Sequence, residues 1–193
     1  TPTPSPTPSP TPTPQPADRL AAAERAMDIG HWDLADEHYT RLQTQPMASP
    51  TQVWKATLGR AHVARARGDF ETITTLVPAL LQNEDLPTPL RVEAELVLAD
   101  AWRALGQHAQ AAEHYGTAAE LEPLLAPHLY DWQGDEYYAS GNYSAALTAY
   151  QQARPGRTAN SRIAGLLEKI GLTYAAVGDF EAAITTYEEI LAL

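Results

Sequence analysis

Apolar residues recur at three- and four-residue spacing along most of the chain from residue 17 onward. In the stretch RIAGLLEKIGLTYAAVG, one side of a helix would carry Ile163, Leu166, Leu167, Ile170 and Tyr174. Proline-containing stretches such as EDLPTPL and ARPGRT interrupt this pattern, and proline blocks the continuation of a helix. The spacing predicts an all-α body of ten helices arranged in five hairpins, without strands.

One short motif marks the turn of each predicted hairpin. A glycine is followed at the second residue by a ring, at the fifth by a small or apolar residue, and often at the ninth by Tyr. The glycines lie 38, 38, 35 and 37 residues apart, at Gly30, Gly68, Gly106, Gly141 and Gly178. Glycine tolerates the left-handed conformation that ends a helix. A period of this length indicates stacked repeats, each packing on its neighbours.

The motif resembles that of the tetratricopeptide repeat family over residues 17–193. In that family the first helix of each repeat carries a bulky residue, a Leu-Gly pair and a Tyr. The matching residues are Tyr130, Gly134 and Tyr137; Leu167, Ile170, Gly171 and Tyr174; Leu98, Ala99 and Trp102; and the closing Pro123. Ala23 and Ala61 stand where glycine is usual, so the first two repeats diverge more. The resemblance implies a right-handed superhelical solenoid with repeats at 17–47, 50–84, 87–123, 124–156 and 158–193.

The resemblance also implies an interaction scaffold whose concave face holds an extended peptide. One subset of the family binds a terminal carboxylate with Lys and Asn, but acids occupy the matching places here and would repel it. We therefore expect a neutral or basic segment in the groove, beside aromatic stacking surfaces. The candidate groove residues are Asp100, Asp131, Trp132, Asp135 and Tyr138. The alternative is that these acids are only solvated charges.

Charge and composition argue against other classes of function. The formal net charge is −11, which disfavours nucleic acid, and the absence of cysteine excludes disulfides and thiolate metal sites. The six histidines form no H-x-x-x-H or H-E-x-x-H pair, and His108 occupies the ring position of a turn, where we expect it to pack. No catalytic motif stands out. The sequence predicts no enzyme, no cofactor and no metal site.

Both ends of the predicted solenoid raise the question of what covers them. The chain stops inside the second helix of the fifth repeat without a capping helix, and its first helix is rich in small residues. We expect a head-to-tail contact between copies, which grows into a filament when the rotation does not close. The candidate contact residues are Leu20, Ala23, Met27, Ile184, Tyr187, Ile190, Leu191 and Leu193.

Residues 1–16 form a separate arm in which every second residue is proline. Such a segment favours an extended polyproline II rod of about 3.1 Å per residue. Its hydroxyls resemble those of glycosylated stalks on exported proteins. The candidate O-glycosylation sites are Thr1, Thr3, Ser5, Thr7, Ser9, Thr11 and Thr13. We expect the arm to be held by a neighbouring copy or by glycans; the alternative is a flexible spacer.

Two functional hypotheses follow. The first is an exported, extracellular or envelope structural protein, bacterial in origin, that assembles end to end with copies of itself. The second is a monomeric adaptor, tethered by its proline-rich linker, that binds an extended peptide in its groove. No apolar run long enough to cross a membrane is present, and a first residue of Thr rather than Met leads us to expect a processed or trimmed terminus.

Overall fold

The computed structural model describes residues 13–155 and 159–193. Within these ranges the chain forms ten α-helices and no strand, which confirms the predicted all-α repeat fold. The helices are α1 (Pro16–Asp28), α2 (Trp32–Gln43), α3 (Pro50–Arg67), α4 (Phe70–Leu81), α5 (Thr88–Ala104), α6 (His108–Leu121), α7 (Ala126–Ala139), α8 (Tyr143–Ala153), α9 (Asn160–Val177) and α10 (Phe180–Leu191). Within each hairpin, two or three residues connect the first helix to the second, as antiparallel helical hairpins require.

Every hairpin turns at its motif glycine in the same way. All five glycines have φ between 72° and 84°, a conformation that only glycine adopts readily. The glycine amide donates to the carbonyl three residues before it, and the next amide donates to the carbonyl five residues before it. This pair of hydrogen bonds satisfies carbonyls at the helix end. In three hairpins an acidic or amide side chain then caps the second helix, at Asp69, Asn142 and Asp179.

The packing divides the chain into two units, one ending at residue 60 and one comprising residues 61–193, with the boundary inside α3. In the first unit the ring of Tyr39 on α2 lies directly over Gly59 of α3, where any Cβ would overlap it. Glycine at this position therefore lets the two helices approach closely.

In the second unit, two buried clusters join the third hairpin to the fourth and the fourth to the fifth. Leu129 of α7 packs with Ala111, Tyr115 and Ala119 of α6. The next cluster joins α8 to α9 and contains the predicted apolar side of α9. Leu166, Leu167 and Ile170 are buried in it, and Ile163 and Tyr174 pack against it partly buried. The small or apolar residue five places after each turn glycine is buried in every hairpin of the chain: Ala35, Ile73, Ala111, Ala146 and Ala183.

Candidate functional site

Two buried tyrosines connect the helices of the third and fourth hairpins. Tyr115 Oη donates to Asp100 Oδ1 at 2.7 Å, and Tyr150 Oη donates to Asp135 Oδ1 at 2.9 Å. Burial raises the pKa of both phenols, and the neighbouring carboxylates raise it further. Both tyrosines therefore remain protonated donors, and each fixes the carboxylate on its partner helix.

Lys169 of α9 binds two of the predicted groove acids on α7. Its Nζ donates to Asp131 Oδ1 at 2.8 Å and to Asp135 Oδ2 at 2.7 Å. Burial by itself lowers the pKa of Lys169, but the two hydrogen bonds and the negative charges of both aspartates outweigh it, so the pKa is raised. Lys169 is therefore charged at neutral pH and joins the fourth hairpin to the fifth.

The third predicted groove acid is also paired. Asp100 accepts from Arg103 Nη2 at 3.2 Å on its own helix and lies 3.5 Å from Arg65 Nη1 of α3. Together with the pairs at Asp131 and Asp135, this replaces the picture of isolated solvated acids. The expected preference for a basic partner segment stays a prediction, and these cations weaken the field on which it depends.

A small notch opens where Lys169 meets the fourth hairpin. Two apolar side chains, Tyr138 and Leu172, remain substantially exposed at its edge. Trp132 lies outside the notch, six residues before Tyr138 on α7; it is 48% exposed and meets the ring of Tyr115 edge to face at 5.6 Å between centroids. The notch has a volume of about 140 Å³ and is lined by Asp135, Tyr138, Tyr150, Lys169 and Leu172.

We call this notch, with its lining residues Tyr138, Lys169 and Leu172, together with Trp132 on the same helix α7, the aromatic groove. An ammonium group has three donors, and two of those on Lys169 are used by the aspartates. The third can meet an acceptor in the notch.

Three histidines make interhelical hydrogen bonds to glutamates in the second unit. The distances are 2.6 Å for His62–Glu93, 2.6 Å for His114–Glu95 and 2.7 Å for His108–Glu136. His108 was expected to pack in the ring position of its turn; it does so half-buried and also binds a glutamate of the next hairpin. Within residues 13–155 and 159–193, no three His, Asp or Glu side chains converge as a metal site would require.

The last hairpin exposes part of its predicted apolar stripe. Of the predicted residues, Ile184 and Leu191 lie on one side of α10 and are 59% and 88% exposed. Phe180, which was not among the predicted residues, lies on the same side and is 65% exposed. Tyr187 instead rests partly buried over Gly171, and Ile190 packs on the cluster of α8 and α9. Leu193 is partly exposed beyond the helix. The exposed surface is therefore narrower than the sequence predicted.

The predicted contact residues of the first helix need a correction. Ala23 has no exposed surface, and Leu20 and Met27 are only partly exposed. Ala23 lies seven residues before its turn glycine, as Gly134 and Gly171 do in later hairpins, and this position faces into the hairpin. Ala23 therefore supports its own hairpin and is not accessible to another copy.

The end of the arm is attached to the first hairpin. The carbonyl of Pro14 accepts from Gln45 Nε2 at 2.8 Å, while Gln45 Oε1 accepts from Arg19 Nε at 3.0 Å. Pro16 is buried at the start of α1. Thr13 is exposed, whereas the candidate glycosylation sites Thr1, Thr3, Ser5, Thr7, Ser9 and Thr11 lie outside the described residues.

Comparison with known proteins supports the repeat assignment. A family model described as tetratricopeptide repeat matches residues 133–193. A comparison with curated proteins finds no match. None of the described helices has the length and apolar character needed to cross a membrane.

Solved structures resemble the chain over almost its whole length. A crystal structure of MamA protein is 17% identical with a TM-score of 0.65, covering 92% of this chain and 90% of that one. A structure of Podosopora anserina putative kinesin light chain TPR-like repeats is 19% identical with a TM-score of 0.65, covering 93% and 96%. BtubC from P. vanneervenii is 16% identical with a TM-score of 0.62, covering 91% and 78%. At such identities the likeness concerns the fold alone.

The matched repeat, the shared fold and the five glycine turns point to one assignment. Proteins built from these repeats typically act as scaffolds for other proteins. Residues 133–193 match the tetratricopeptide repeat model, and the chain as a whole has the fold of the solved repeat structures.

Proposed function

We propose that this chain is a structural scaffold whose copies associate end to end through the last hairpin. The observation that carries the proposal is the exposure of Ile184, six residues after its turn glycine. At the same place in earlier hairpins, Ala112 is fully buried and Leu147 packs on the cluster of α8 and α9. In those hairpins the first helix of the next repeat covers the position, whereas Ile184 is 59% exposed.

The first helix offers a surface of complementary size and charge. Counted back from the turn glycine, Ala22 corresponds to Ile170, which is buried where α9 meets α8. The smaller, half-exposed Ala22 leaves room for a large side chain from another copy. The exposed Arg25 next to it carries a charge opposite to that of Glu181 and Glu188, which border the apolar side of α10.

A contact between these two different surfaces would be heterologous. Each copy would use its last hairpin on one neighbour and its first hairpin on the other. Such a contact gives a ring if the rotation closes and a filament if it does not. We propose the filament, in line with a structural role.

The test is the state of association of the full chain and of an Ile184→Glu variant. The wild type should increase in mass with concentration in sedimentation velocity and form fibres in electron micrographs. Burying a carboxylate in this contact should weaken association by about a hundredfold or more. Leu124→Glu, at a loop residue that is 88% exposed, is the matched control and should assemble normally. A wild type that stays monomeric at high concentration would refute the proposal.

We propose further that the protein is exported, extracellular or in a bacterial envelope, and that its arm carries O-linked sugars. The support is compositional: hydroxyl side chains alternate with proline over residues 1–13. Mass spectrometry of the N-terminal peptide from native material would measure this directly. Additional mass in units of hexose is the expected result, and an unmodified peptide would contradict it.

The second candidate is a monomeric adaptor that binds an extended peptide in the aromatic groove. The exposed ring of Tyr138 beside the donor of Lys169 favours it. This function requires a monomer at all concentrations and loss of partner binding in Tyr138→Ser. Charge reversal at Asp131 and Asp135 is a less specific test, because it would also break the bonds to Lys169.

A further inference from the structure

The aromatic groove has the features that a proline-rich segment requires. A polyproline II segment makes no internal hydrogen bonds, and its prolines lack the backbone N–H, so it offers ring surfaces and unpaired carbonyls. Proteins recognise such segments with exposed aromatic rings and hydrogen-bond donors. Here Trp132 and Tyr138 supply exposed rings, and Leu172 adds an apolar edge. Lys169 lines the notch, and the two aspartates use two of its three N–H donors.

The chain itself contains a segment with the matching chemistry. In residues 1–12, six prolines alternate with six Thr or Ser residues, and none of the side chains is charged. The body of the protein carries the whole formal charge of −11. A neutral segment can approach this acidic body without repulsion, whereas an acidic peptide would be repelled.

The attachment and the length of the arm suit a contact with another copy. The carbonyl of Pro14 is held by Gln45, so the arm starts from a fixed point on the first hairpin. Twelve residues in a polyproline II conformation extend over roughly 37 Å. Once two copies are stacked, the arm is tethered near the groove of the neighbouring copy. Its effective concentration there is therefore higher than that of a free peptide.

We propose that the aromatic groove binds the proline-rich arm, residues 1–12, of a second copy, a contact that rests on the proposed association of copies. Proline rings stack on Trp132 and Tyr138, and a main-chain carbonyl of the arm accepts the third N–H of Lys169. The apolar face of α10 then supplies one contact between copies, and the arm supplies another.

The first experiment measures binding of the arm in isolation. The probe is the unmodified peptide TPTPSPTPSPTP, acetylated and amidated, titrated into a full-length recipient whose six arm prolines are serine and which carries Ile184→Glu. Binding is measured by isothermal titration calorimetry, whose signal does not depend on Trp132, and the heat should saturate. Adding Trp132→Ser and Tyr138→Ser should weaken binding about tenfold or more, the loss expected for exposed aromatic anchors. No saturable binding, or equal binding by both recipients, would overturn the proposal.

A matched control separates this groove from the end face of α10. Phe180→Ser removes an exposed ring of the end face, so it should leave peptide binding unchanged. Because the recipient already carries Ile184→Glu, peptide binding is measured without end-to-end association. If the wild type forms no filament but the recipient still binds the peptide, only the proposed function is therefore refuted. Circular dichroism checks that every variant is folded.

The second experiment determines whether the arm acts between copies. One full-length variant has serine in place of its six arm prolines, and another carries the two groove substitutions, both in the Ile184→Glu background. Mixed together, they should form a one-to-one complex in sedimentation velocity, because one supplies the arm and the other the groove. A mixture that remains monomeric, while the synthetic peptide still binds, would overturn the contact between copies.

Discussion

The substitution of glycine by alanine should have opposite effects at two helical positions in the second unit. Gly134 of α7 lies under the ring of Tyr150, and a Cβ added there would overlap that ring. Gly165 of α9 has no neighbouring atom within 4 Å of the added Cβ. The intrinsic helix preference changes equally in both cases, so the difference between them measures the packing contact.

The magnitudes follow from the two surroundings. Alanine in place of glycine inside a helix stabilises it by about 1 kcal/mol, which is the whole effect expected at Gly165. Overpacking a buried site costs about 1–3 kcal/mol. The ring of Tyr150 cannot move aside easily, because it is buried and its hydroxyl is held by Asp135 at 2.9 Å. The cost should therefore lie in the upper half of that range, about 2–3 kcal/mol, so that Gly134→Ala is destabilising by roughly 1–2 kcal/mol after the gain in helix preference.

The assay is thermal and urea denaturation of both variants, followed by circular dichroism. A difference of about 2–3 kcal/mol between them corresponds to roughly 5–10 °C in Tm for a chain of this size. In a Tyr150→Ala background the Gly134→Ala substitution should become harmless, because the overlapping ring is gone. If Gly134→Ala stabilises the wild type as much as Gly165→Ala does, the close approach of α7 and α8 is refuted.

Two further predictions concern the bonds that connect the helices. Lys169→Met should lower the free energy of unfolding by about 1–2 kcal/mol, because it removes the charged hydrogen bonds to Asp131 and Asp135. Arg41→Met, in the exposed pair with Glu37, should change it by less than about 0.5 kcal/mol. Equal urea midpoints for the two variants would contradict this. Because the pKa values of Tyr115 and Tyr150 are raised above 10.0, their contribution to stability is complete below pH 10 and lost as the pH rises above it. Replacing both with Phe should flatten the decline of stability above pH 10 in urea denaturation, and an unchanged slope would count against buried phenols.

Features that depend only on residues close together in the sequence could be predicted from it. The turn glycine requires a left-handed conformation that few other residues adopt, and its five copies therefore located five hairpins. The apolar side of α9 was equally predictable, because helical spacing alone brings Leu166 and Ile170 to one face. The rings and acids of the groove were found in the same way, from their places in the repeat.

The hydrogen-bond partners of the groove acids could not be predicted from the sequence. Lys169 is one lysine on a helix of mixed composition, and the acids it binds lie 38 and 34 residues away. The repeat spacing could have directed attention to it, since Asp131 and Asp135 are four residues apart on α7. Which side chain reaches them depends on how α9 is rotated and shifted against α7, a quantity that no local pattern contains.

The first and last helices also separate what the sequence determines from what the tertiary structure determines. The sequence by itself determined that α10 has an apolar side and that α1 is rich in small residues, because both properties follow from composition and helical period. Only the tertiary structure decided that Ala23 is enclosed while Ile184 is exposed. The physical reason is that burial depends on which neighbouring helix covers a position, and coverage arises from the packing of elements distant in sequence.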